Sequence, residues 1–147
     1  MGTTKFPDEN DYSDYLSKNS GMSNAYTSQE ETNYFFEVAN PALEGALDRF
    51  AQFFISPLMA DSSSERELNA VHSEHTKNIH QDNWRYYQLL KHTSKKNSPF
   101  NKFSTGDKST LSSPSLREML LDFYNAHYSS NLMKLVVYSK ENVDKVS

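Results

Sequence analysis

Leu43, Ala46, Leu47, Phe50, Phe53 and Phe54 recur at the three- and four-residue spacing that lines up apolar side chains along one face of a helix. A face that wide is stable only when it is covered. The stretch just upstream offers a cover. Asn33-Tyr34-Phe35-Phe36-Glu37-Val38 is rich in aromatic and β-branched residues and reads as a strand. Asn40 is placed to cap the helix, Pro41 suits its first turn, and Ser56-Pro57 ends it. A strand feeding directly into an amphipathic helix points to an α+β domain.

The other elements fit that class. Phe6 to Asn10 is a turn signal, and a short helix follows with Tyr12, Tyr15 and Leu16 on one side until Ser20-Gly21 breaks it. Met22 to Thr27 reads as a second strand, joined to the first by the polar turn Ser28-Gln29-Glu30-Glu31. A long helix is expected from Ser62–Ser64 to about Lys91. Ser62 with Glu65, or Ser64 with Glu67, would box its start, and Leu68, Val71, His75, Ile79, Tyr86 and Leu90 form its apolar stripe. Residues 94–114 are polar and read as a loop, pinned by Phe100 and Phe103. Ser115 with Glu118 restarts a helix, Met133 to Tyr138 reads as a buried strand, and Ser139 would cap a final helix. That last strand has no neighbour in the sequence to pair with, and a lone hairpin is only marginally stable. The sheet is therefore expected to need strands that this chain does not carry, and the chain to be truncated at both ends.

Composition excludes several functions. The net charge is -4 and the only basic cluster, Lys91 to Lys96, sits at a helix end where the dipole accounts for it, so no nucleic-acid partner is expected. No apolar run reaches membrane-spanning length, so no membrane partner is expected. There are no cysteines, which rules out disulfides and thiolate metal sites and makes the cytoplasm the expected location. Four glycines and no Gly-x-Ser-x-Gly leave neither a phosphate loop nor an activated serine.

One region looks chemical: Glu67-Leu68-Asn69-Ala70-Val71-His72-Ser73-Glu74-His75, with His80 beyond. Residues one heptad apart on a helix lie roughly 20° out of line, so Glu67 and Glu74 point the same way, on the flank of the apolar stripe. They are either ordinary exposed helix acids or carboxylates waiting for a partner at the rim of a core. His72 and His75 have usable spacing for a metal, but His75 falls in the stripe and His80 lies well round the helix, which disfavours a three-His site.

Several segments together resemble the insulin-degrading enzyme (insulysin/pitrilysin) family of zinc metallopeptidases. They are Gly2 to Asn10, Ser23-Asn24-Ala25-Tyr26-Thr27 with Thr32 to Phe36, Leu43 to Phe54, Glu67 to His75, and Ser129 to Met133. They occur in family order, cover nearly the whole chain, and look closest to fungal members. The resemblance implies a partial αβ-roll, with residues 1–147 forming part of an N-terminal peptidase domain. It implies Zn2+ as the cofactor of the complete protein and peptides as substrates, and it leaves room for a homo-oligomer of the full-length form. It makes Glu74 the third zinc ligand and Glu67 an acid that orients the site. It also makes Ser23 to Thr27 the edge strand that receives substrate, with Asn24 and Ala25 in contact with it. Trp84 and Tyr87 fall near the same cavity by resemblance, although packing explains them as well.

The family's His-x-x-Glu-His, which supplies two zinc ligands and the base, is nowhere in the 147 residues. The chain alone is therefore expected to be inactive. The competing expectations are a non-catalytic family homologue serving as a structural or interaction subunit, and a free-standing interaction module that uses the edge strand.

Overall fold

The computed structural model describes residues 1–146. They form two compact units. The first holds Met1–Thr27, Thr32–Met59 and the chain from Leu120 onward; the second holds Ser28–Glu31 and Ala60–Met119.

In the first unit, α1 (Asp11–Lys18), the antiparallel strands β1 (Met22–Thr27) and β2 (Thr32–Glu37), and α2 (Leu43–Ile55) follow the expected order. The aromatic spacing of α2 meets the aromatic strand as expected. Phe50 lies 5.0 Å from Phe36, 5.2 Å from Phe54 and 6.3 Å from Tyr12, ring centre to ring centre. Tyr34 packs edge-on against Phe54 at 5.4 Å, a favoured aromatic geometry. Its hydroxyl lies 2.6 Å from that of Tyr128, and burial with this shared bond pushes the Tyr34 phenol well above its ordinary range. Tyr12's hydroxyl is buried, and among the described residues no partner makes a well-formed hydrogen bond to it. Burial pushes that phenol up to about 12, and the nearby Ser23 hydroxyl offsets this only in part. Arg49 is clamped between the rings of Tyr15 (4.1 Å) and Phe6 (4.5 Å) and bonds Asp11 at 2.6 Å.

The second unit contains α3 (Asp61–Asn78), α4 (Asp82–Thr93) and the short α5 (Lys108–Leu111). The helix α6 (Leu116–His127) begins there and continues in the first unit, which also holds α7 (Val143–Val146). Phe100 packs edge-on against Tyr87 at 5.9 Å and Phe103 against His75 at 5.4 Å, so both pin the connecting loop as expected.

Six expectations change. The long helix is two helices, interrupted at Ile79–Gln81, where Gln81 turns extended (φ -102°, ψ 127°) and its N–H reaches the Asn78 carbonyl at 3.0 Å. Asn78, Asp82 and Asn83 are weak helix formers that favour ends and turns, which outweighs the continuing apolar spacing. Neither serine box forms at the start of α3, where Ala60 takes the capping position. The loop after α4 hides α5, whose start is boxed by Asp107 and Thr110. Asn40 opens a 3-10 turn instead of capping α2, and its side chain is taken by Glu141 (2.7 Å) and Ser139 (3.1 Å). Met133 to Tyr138 is not a buried strand: it has no ladder partner among the described residues, and Val136 is 87% and Tyr138 100% exposed. Lys91 also departs from a solvated helix end. It is buried, with its ammonium 5.3 Å from the ring centres of both Tyr87 and Phe100.

Candidate functional site

In the second unit, α3 is continuous from Asp61 to Asn78, so Glu67 and Glu74 stand on one unbroken helix, one heptad apart. Both are exposed, and neither side chain has a hydrogen-bond or ion-pair partner among the described residues. The two carboxylates are free to engage something outside this chain. No group of three or more His, Asp and Glu side chains able to hold a metal occurs among the described residues. The described residues therefore do not form a complete metal site by themselves, although an exposed carboxylate such as that of Glu74 could be one ligand of a shared site.

The histidines beside them are already engaged. His75 Nδ1 lies 3.2 Å from the Thr105 hydroxyl, and its Nε2 lies 3.9 Å from the Asp107 carboxylate. His72 Nδ1 accepts from the Lys108 backbone N–H at 3.5 Å. His80 lies beyond the end of α3 and is exposed. The three rings do not converge. Asp107, which sequence reasoning passed over as loop, is the hub of this region. It accepts from the Ser109 hydroxyl (2.6 Å) and from the backbone of Thr110 (3.0 Å) and Ser109 (2.8 Å). Those bonds, the Ser109 hydroxyl first, hold its carboxyl below the usual range. The signal for it was Asp107 three residues before Thr110, a box in which Thr replaces the more familiar Glu or Gln. Trp84 and Tyr87 pack edge-on against each other at 6.4 Å.

In the first unit, β1 pairs with β2 on one side and with no other strand among the described residues. The register sets Thr27 opposite Thr32, Ala25 opposite Tyr34 and Asn24 opposite Phe35. Antiparallel pairs alternate between those that exchange backbone hydrogen bonds and those that do not. The Ser28 N–H donates to the Glu31 carbonyl at 2.8 Å, which makes that pair a bonded one. Counting back, Tyr26, Asn24 and Met22 bond to β2, whereas Ser23, Ala25 and Thr27 turn their backbone groups to the open edge. The Thr27 and Thr32 hydroxyls, 3.1 Å apart, agree with a close, non-bonded pair. The Ala25 N–H is not vacant: the Asn24 side-chain oxygen accepts from it at 2.8 Å.

Residues 1–97 match the insulinase family (peptidase family M16). The chain is 50% identical to human insulin-degrading enzyme over 100% of its own length and 15% of that protein's. It is also 50% identical to the A-factor-processing enzyme of Saccharomyces cerevisiae, again over 100% of this chain and 15% of the relative. The chain thus spans about 15% of the length of these two relatives. The crystal structure of pitrilysin superposes with a TM-score of 0.92 at 38% identity, covering 99% of this chain and 16% of pitrilysin. By sequence and by its α+β fold, this chain belongs to the insulinase (M16) family of zinc metallopeptidases.

Proposed function

We propose that this chain is part of the N-terminal peptidase domain of a zinc metalloendopeptidase that degrades or processes peptides. In this reading Glu74 is a zinc ligand, Glu67 orients it, and the open edge of β1 holds the substrate. The observation that carries the reading is the pair of free carboxylates, Glu67 and Glu74, on one continuous helix of a family member. When bound, zinc supplies Lewis-acid activation for peptide hydrolysis. The other ligands and the general base lie outside these residues, because no His-x-x-Glu-His is present. The printed names of the two relatives, insulin-degrading and A-factor-processing, support peptides as the substrate class.

The test is chelator-sensitive cleavage of a peptide by the full-length protein, with no cleavage by the 147-residue chain alone. A full-length protein that holds no zinc and cleaves nothing would support the non-catalytic subunit reading instead.

The open edge explains how an extended peptide could be held with little regard to its side chains, since the contacts are backbone to backbone. Ala25 turns its N–H outward, so proline there removes an edge donor without breaking a bond to β2. Ala25→Pro in the full-length protein is expected to raise KM by about 3- to 10-fold, the worth of one hydrogen bond, with a smaller change in kcat. Tyr26→Pro removes a ladder bond and should destabilise the hairpin instead. An unchanged KM in a folded Ala25→Pro protein would count against Ala25 as a substrate contact.

A further inference from the structure

The open edge of β1 carries its own plug. An unpaired strand edge invites pairing with any extended chain, and proteins guard such edges in various ways. Here the three outward-facing residues are not equivalent. Ser23 and Thr27 flank Ala25, the central one, and only Ala25 has its N–H taken by a neighbouring side chain, the Asn24 amide oxygen at 2.8 Å. Asn24 is exposed, so its side chain can turn away without opening any packed region. Its own backbone is committed to β2 by the register, so the side chain can move while the strand stays in place.

We infer that Asn24 is a displaceable cap on the central donor of the strand edge, which an incoming extended peptide must push aside before it can pair with Ala25. This inference rests on the reading of β1 as the substrate strand. It gives the edge a threshold: a peptide has to offer a backbone carbonyl at the Ala25 position good enough to replace the amide oxygen. Weak or out-of-register encounters, including edge-to-edge contact between two copies of the protein, meet an occupied donor.

Residue-resolved amide hydrogen exchange in the full-length protein tests this. In the free protein Ala25 should exchange about fivefold more slowly than Ser23 and Thr27, the protection expected from one modest hydrogen bond. Asn24→Ala should abolish that difference, and Asn24→Asp, which keeps an acceptor oxygen, should preserve it. With a short Val- and Thr-rich peptide at saturating concentration and chelator present to stop turnover, Ala25 should be protected in both the native protein and Asn24→Ala. Ala25 exchange that is unchanged by Asn24→Ala overturns the cap, while peptide protection in the same variant would leave the substrate strand standing. A cap that is present beside an Ala25 that peptide never protects in Asn24→Ala overturns the displacement and the substrate strand together.

Discussion

Glu74→Gln in the full-length protein is expected to abolish peptide hydrolysis and to weaken zinc binding by more than about 100-fold. Residues that merely orient metal ligands cost about 10- to 100-fold when changed, so a direct ligand should cost more. The substitution keeps the size of the side chain and its helix propensity and removes only the charged donor. Glu74 is exposed and has no partner among the described residues, so the folded state loses no interaction within the chain. Stability should stay within about 0.5 kcal/mol of the native protein, as for surface changes away from special features. Loss of zinc with an unchanged melting temperature would therefore report a ligand and not a fold defect. Glu67→Gln should fall in the milder range, about 10- to 100-fold. Metal content of the purified variants, alongside thermal unfolding, checks all of these.

The second large effect concerns stability. Phe50→Ala is expected to destabilise the first unit by about 3 kcal/mol, the low end for truncating a phenylalanine in a core because the ring is half-buried. Phe50 touches the ring network at three points, Tyr12, Phe36 and Phe54, and so ties both α1 and β2 to α2. Removing it leaves Phe54 without its edge-on partner and Phe36 and Tyr12 without a tilted one. Phe50→Leu, which keeps most of the volume, should lose less than half as much. Denaturant unfolding of the two variants gives the comparison.

Much of the first unit could be read from the sequence because its signals were local and agreed with one another. The spacing from Leu43 to Phe54 and the aromatic run at Asn33 to Phe36 each specify an element, and the two surfaces match. The errors arose where a side chain had a choice of partners. Asn40 is a good cap by residue type, but Glu141 and Ser139, about a hundred positions away, took its amide. Met133 to Tyr138 has every local property of a buried strand and no strand beside it among the described residues. The periodicity of the long helix ran through Asn78 and Asp82 because apolar spacing does not register a turn at polar residues. The carboxylate pair followed from heptad geometry alone, but the zinc role proposed for it came only with the family resemblance, because two exposed acids on a helix are common. The Asn24 cap could not be read at all. It depends on which way the Ala25 N–H points, and that is fixed by the hairpin register and not by residue type.

The central claim is that this chain lends one ligand, Glu74, to a zinc ion held mainly by residues outside it. Anomalous X-ray diffraction from crystals of the full-length protein at the zinc edge tests this most directly. The account predicts a single peak at about 2.0–2.2 Å from a Glu74 carboxylate oxygen, the usual zinc–carboxylate distance, with two imidazole nitrogens from outside these residues completing the set. A peak bound by His72 or His75, or one with Glu74 still pointing into solvent, would contradict it.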